Sequence, residues 1–109
     1  LALIYLLASG ADLVGIASTG GNIAVDQVCA NNLSLLDLCR AGPIPVSRGA
    51  GRPLHGQPPQ RGDVHGPNGI GHAELSHSDR RLTDYDAATA WVRAAHAHPG
   101  ELVGLTTAP

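Results

Sequence analysis

The apolar positions of this 109-residue chain fall into blocks with different periods, and the periods predict different elements. Residues 1–9, LALIYLLAS, are apolar on nearly every side of a helix, so the C-terminal part of that helix is expected to be buried. Gly10 suits its C-terminal cap. The run 12–19, DLVGIAST, is short, apolar and rich in branched residues, and it is bounded by Asp12 and Gly20-Gly21. It reads as a strand buried on both faces. From Ile23 to Arg40 the period lengthens: Val25, Val28, Cys29, Leu35, Leu36 and Cys39 recur at helical steps until Gly42-Pro43. IPVSRG (44–49) suits a further short strand. Residues 48–82 carry much Gly and Pro and little periodicity, which predicts a long functional or unstructured loop. Thr83 and Asp86 then form a capping-box-like start to a helix whose face is Tyr85, Ala88, Trp91, Val92 and Ala95. Pro99-Gly100 ends it, and ELVGLTT (101–107) reads as a strand. Helix, strand, helix, strand, loop, helix, strand is the order of an α/β domain with a mainly parallel sheet flanked by helices.

Length allows one domain at most. The chain contains no Met and starts and stops abruptly, so it reads as an incomplete piece of a longer protein. LALIYLLAS could also be the core of a signal peptide, but no positive n-region precedes it, and it is too short to span a bilayer. A buried helix and a cytoplasmic protein are the expectation. The net charge of −2, seven scattered Arg and only three aromatic residues leave no basic stripe with stacking rings, which argues against a nucleic-acid partner. Cys29 and Cys39 are ten residues apart on one expected helix, roughly 15 Å at helical rise. A disulfide needs Cα atoms within about 7 Å, so both are expected to be small buried thiols.

In parallel sheets ligands bind beyond the carboxyl ends of the strands. Two segments leave those ends: TGGN (19–22), and the long loop containing DVHGPNGIGH (63–72). Gly20 and Gly21 let backbone approach a ligand, and Asn22 follows as either a helix N-cap or a neutral donor and acceptor. His65 stands just before Gly66, Gly69 and Gly71. A phosphate cradle needs a lysine or a following helix that the segment lacks. His55, His65, His72 and His77 fit no zinc spacing. By spacing alone His65 could be an incidental loop residue. Asp12, Asp26, Asp37 and Asp63 occupy no paired positions and read as solvated or capping carboxylates. Asn31 and Asn32 sit mid-helix near the stripe 24, 28, 31, 35, 38, and are expected to bond back to local backbone rather than to a neighbouring element.

Taken in order, LALIYLLAS, LVGIASTGGN, VDQVCANNLSLLDL, IPVSRGAGRPL, VHGPNGIG and HPGELVGLTTAP resemble the N-terminal portion of the inosine–uridine-preferring nucleoside hydrolase family. GGN, G-A-x-R-P-L and H-G-x-x-G-I-G in this order and spacing carry the resemblance. It implies hydrolysis of the N-glycosidic bond of purine or pyrimidine nucleosides to ribose and free base, with Ca²⁺ as the cofactor and a homo-oligomeric assembly. It also implies that Asn22 lies at the ribose side of the substrate pocket and that His65 reaches into that pocket from a loop able to move over the nucleoside. The family's D-x-D-x-x-x-D-D motif would precede Leu1, and its remaining metal and acid residues would follow Pro109. No catalytic residue and no metal ligand is therefore expected within 1–109, and this part alone is expected to be inactive. A non-catalytic nucleoside-binding relative or remnant, and an unrelated α/β binding module, are the alternatives.

Overall fold

The computed structural model describes residues 1–57 and 63–107. Residues 58–62 of the expected loop and the last two residues of HPGELVGLTTAP lie outside them. Among the described residues the elements run α1 (Ala2–Ala8), β1 (Ile16–Ser18), α2 (Val25–Leu38) and β2 (Val46–Arg48), then a 3₁₀ turn (Asp63–His65) and α3 (Ala87–Ala97), and the two strands form a small parallel sheet. β1 and β2 pair in parallel with Ile16 opposite Val46 and Ser18 opposite Arg48. α2 is their crossover, and both α2 and α3 pack on the pair. This is an incomplete α/β fold of the expected class.

α1 ends where Gly10 was expected to end it. Ser9 is the cap residue, Gly10 adopts a left-handed φ of 76°, and the amides of Gly10 and Ala11 reach back to the carbonyls of Leu7 and Leu6. Those paired bonds satisfy carbonyls that the helix end would otherwise orphan. The expected burial of α1 is not found: none of its residues is buried, and Tyr5 is 72 % exposed. α2 ends the same way one turn before Gly42-Pro43, with Arg40 in the left-handed position at φ 51° and the Ala41 amide on the Leu36 carbonyl.

Both expected strands are shorter than their apolar runs. β1 keeps three residues of 12–19, and it is not buried on both faces, since Ala17 is exposed while Ser18 is buried. The expected strand 101–107 does not form. Asp12–Thr19 and Glu101–Thr107 both line one cleft of about 860 Å³, also bordered by α1 and α3. Among the described residues no backbone hydrogen bond joins the two segments, so no ladder forms between them. The indole of Trp91 instead covers Gly104, where an added Cβ would lie 2.7 Å from the ring.

α3 starts later than its expected capping box. Asp86 is the N-cap, accepting from the Thr89 amide at 2.7 Å, whereas the Thr83 hydroxyl turns away to the Tyr85 carbonyl and the Ser47 hydroxyl. Its inward face is also displaced. Ala87 is buried and Ala90 and Ala94 half-buried, while Ala88, Trp91, Val92 and Ala95 are exposed. Small side chains let the helix come close: a Cβ on Gly49 would lie 3.0 Å from that of Ala87. Among the described residues the fully buried apolar side chains are Val25, Cys29, Leu36, Val46 and Ala87. Cys29 and Cys39 are unpaired thiols, buried and half-buried respectively. No helix of the described residues is long and apolar enough to cross a membrane.

Candidate functional site

Beyond the carboxyl end of β1 the chain makes a turn that glycine alone permits. The Gly20 amide donates to the Ala50 carbonyl at 2.8 Å, and the Gly49 amide to the Ser18 carbonyl at 2.7 Å. These bonds lay the segments after β1 and β2 side by side. A Cβ on Gly20 would stand 2.9 Å from the Gly51 carbonyl oxygen, so the contact is backbone on backbone. Asn22 is exposed at the end of this turn. It is not the N-cap of α2: that position belongs to Ala24, which offers no side-chain bond. Among the described residues, the Asn22 amide has no hydrogen-bond partner, leaving its donor and acceptor open to solvent or ligand.

His65 closes the 3₁₀ turn and is also exposed. The loop after it is held by its own atoms. The Gly71 amide donates to the His65 carbonyl at 2.7 Å and the Gly69 amide to that of Gly66 at 3.2 Å. The Asn68 side chain donates to the Ala73 carbonyl at 2.9 Å and accepts from the Ile70 amide at 3.3 Å. Gly66, Gly69 and Gly71 have φ of 72°, 77° and 72°, a left-handed backbone that side chains disfavour. These glycines therefore have a geometric reason that is independent of loop movement. At Gly69 there is a second reason, because a Cβ would lie 2.5 Å from Ile23 Cδ1. The His65 loop thus packs directly on the residue that follows Asn22.

Asparagines 31 and 32 were not foreseen in their actual role. Rather than bonding to local backbone, Asn31 Nδ2 donates to the Asn68 carbonyl at 2.8 Å and Asn32 Nδ2 to Ser18 Oγ at 2.9 Å. The stripe on which Asn31 falls was the available signal. Local back-bonding loses because the backbone groups in mid-helix are already paired, while the loop carbonyl and the buried hydroxyl need a donor.

Three of the acids have structural partners. Asp26 accepts from Arg48 Nε at 2.6 Å, and the guanidinium holds its carboxyl below the usual range. Asp37 accepts from the Ser78 hydroxyl and from Arg80 Nε, and both hold its carboxyl down. Arg80 also donates to the carbonyls of Ala41 and Gly42, just past the end of α2. The Thr89 amide keeps the Asp86 carboxyl low. Among the described residues no group of three His, Cys, Asp or Glu is placed to hold a metal ion.

The Asp37 cluster predicts a sign for the pH dependence of stability. A carboxyl lowered on folding contributes stability that is present above its unfolded value, about 3.9, and that is lost as pH falls through the folded value. Melting temperature should therefore decline on acidification below about pH 4, and Asp37→Asn should flatten that decline. An acid limb of equal steepness in the variant would show that Asp37 does not contribute to it.

Neither Asn22 nor His65 borders the 860 Å³ cleft. A smaller hollow of about 390 Å³ lies between α2 and residues 77–82, and it too excludes both. The two candidate residues lie on the TGGN turn and on the His65 loop, a rim whose one junction shown among the described residues is Gly69 against Ile23.

Comparison with known proteins gives that rim a context. The family model described as inosine-uridine preferring nucleoside hydrolase matches residues 1–109. Uridine nucleosidase 1 of Arabidopsis thaliana is 29 % identical over 99 residues, which is 90 % of this chain and 30 % of that protein. Among solved structures, the plant nucleoside hydrolase PpNRh1 superposes with a TM-score of 0.82 at 30 % identity, over 92 % of this chain and 32 % of its own. The purine-preferring ribonucleoside hydrolase from Gardnerella vaginalis superposes with a TM-score of 0.76 at 26 % identity, over 87 % and 31 %. The chain spans about a third of the length of these relatives.

Proposed function

From membership in the inosine–uridine preferring nucleoside hydrolase family, to which this chain belongs, we propose that residues 1–109 are part of a ribonucleoside hydrolase and supply two substrate contacts. The reaction adds water across the N-glycosidic bond: a water oxygen bonds to C1′, the bond from C1′ to the base nitrogen breaks, and ribose and protonated base leave. Asn22 would orient a ribose hydroxyl without adding charge, and His65 would bond to sugar or base from the facing loop. The observation that carries this reading is the packing of Gly69 on Ile23, which brings the His65 loop against the segment bearing Asn22.

Calcium is the cofactor the resemblance implies, but the described residues do not fit it. Ca²⁺ takes six to eight oxygen ligands, carboxylates foremost. Asp26, Asp37 and Asp86 are engaged with Arg48, with Ser78 and Arg80, and with the Thr89 amide. Among the described residues no three such side chains converge, so a divalent ion would need ligands from other parts of the whole protein. A cytoplasmic location, a role in nucleoside salvage and a homo-oligomeric state belong to the same proposal.

The test is release of free base from inosine and uridine by the whole enzyme, with and without a chelator. The expected result is base release that the chelator abolishes. Nucleoside binding without base release would favour the non-catalytic alternative, and neither binding nor release would overturn the reading.

A further inference from the structure

We propose that the adjacent asparagines of α2 are positioning residues for the nucleoside site: Asn31 seats the His65 loop, and Asn32 seats the end of β1 from which the Asn22 turn departs. The inference rests on the functional reading above. Neighbouring residues on a helix point about 100° apart, so Asn31 and Asn32 can address different structures from one turn. Asn31 reaches the Asn68 carbonyl at 2.8 Å, across 37 residues of sequence. Asn32 reaches Ser18 Oγ at 2.9 Å, on a residue only 1 % exposed. One rigid helix therefore holds both walls of the rim.

The Asn31 amide is itself oriented. Its Oδ1 accepts from Gln27 Nε2 at 2.9 Å, one helical turn earlier, which leaves Nδ2 to face the loop. The loop receives this bond as a unit, because its own hydrogen bonds between His65 and Ala73 already brace it. Loss of the Asn31 donor should thus free the loop to leave α2 and, once off the helix, to open its own hydrogen bonds more often. Substrate affinity falls in proportion to the fraction of molecules in the competent arrangement. Once the nucleoside is bound, its own contacts hold the loop, so the effect concentrates in KM.

The discriminating substitution is Asn31→Asp, which keeps the side-chain volume and replaces the donor with an acceptor facing a carbonyl. In the whole enzyme we expect KM for a nucleoside to rise by about three- to tenfold, the effect of losing one hydrogen bond, with kcat within about twofold. Asn31→Gln, which keeps an amide, should recover part of the loss. In a His65→Ala background Asn31→Asp should have no further effect on KM, because residues that act through one another are not additive. Hydrogen exchange at the Gly69 and Gly71 amides of the unliganded enzyme should quicken in Asn31→Asp. The corresponding change for the second arm is coupling of Asn32→Ala to Asn22→Ala.

An unchanged KM in a folded Asn31→Asp enzyme would overturn the proposal, as would the same KM rise with and without His65. Quickened exchange in Asn31→Asp, in an enzyme that does not hydrolyse nucleosides, would support the seating of the loop and overturn the nucleoside reading instead. Unchanged exchange would overturn the seating whatever the activity.

Discussion

His65→Ala in the whole enzyme is expected to lower nucleoside turnover by more than about tenfold, roughly 1.4 kcal/mol of transition-state stabilisation, and Asn22→Ala is expected to do the same. Both side chains are exposed, and neither makes a hydrogen bond among the described residues, so the fold does not depend on them. Their removal should leave melting temperature almost unchanged, as for other surface changes of within about 0.5 kcal/mol. That separation makes the experiment informative, since a lost rate cannot then be ascribed to unfolding. The backbone around each is highly constrained, by the Gly20 and Gly51 contact on one side and by three left-handed glycines on the other. Full turnover in both variants, measured as base release at saturating nucleoside, would remove them from the site.

The largest effect on stability is expected from Leu36→Ala. Leu36 is 0 % exposed and lies on the face of α2 that packs on the parallel pair. Truncating a leucine so enclosed costs about 2.7–5.0 kcal/mol, the transfer energy of the lost methyl groups plus the cavity they leave. The upper part of that range is expected here because the surroundings cannot collapse freely. On either side of Leu36, α2 is tied to β1 by Asn32 on Ser18 and to residues 78–80 by Asp37 on Ser78 and Arg80. Denaturant unfolding of the whole enzyme measures it, read as a lower midpoint at unchanged slope. A cost below about 1 kcal/mol would mean that α2 shifts to fill the space, and that its hydrogen bonds do not fix its position. The Asn31 and Asn32 seating would then be weakened too, because both asparagines act from a helix assumed rigid.

Much of the architecture was legible in the chain. The helical period from 23 to 40, the short branched runs near 16 and 46, and the glycine after α1 are signals of local geometry, and each produced the element it implied. The order of elements was enough to imply a parallel pair with a helical crossover, because a parallel connection requires a long crossover. The GGN turn and the His65 loop were picked out because glycine clusters mark backbone that side chains would obstruct.

Other features depended on partners distant in sequence. Residues 101–107 have the composition of a strand but make no ladder with β1 among the described residues, and a strand exists only by pairing. The buried face of α3 was misread because Trp91 and Val92 are more apolar than Ala87, Ala90 and Ala94, while close approach to Gly49 favours small side chains over large ones. Thr83 was read as a cap from spacing, and Asp86 took that role because Thr83 has Ser47 beside it.

By itself, then, the sequence determined the class of fold and the turn residues, since these follow from local backbone preference and residue chemistry, whereas positions 22 and 65 were singled out through the resemblance to the nucleoside hydrolase family. Only the tertiary structure decided that the His65 loop rests on Ile23 and that Asn31 and Asn32 reach it and β1 from one helix. The physical reason is that an amide in mid-helix takes as its partner whichever buried group lacks one. Which group that is depends on how the whole chain closes around it.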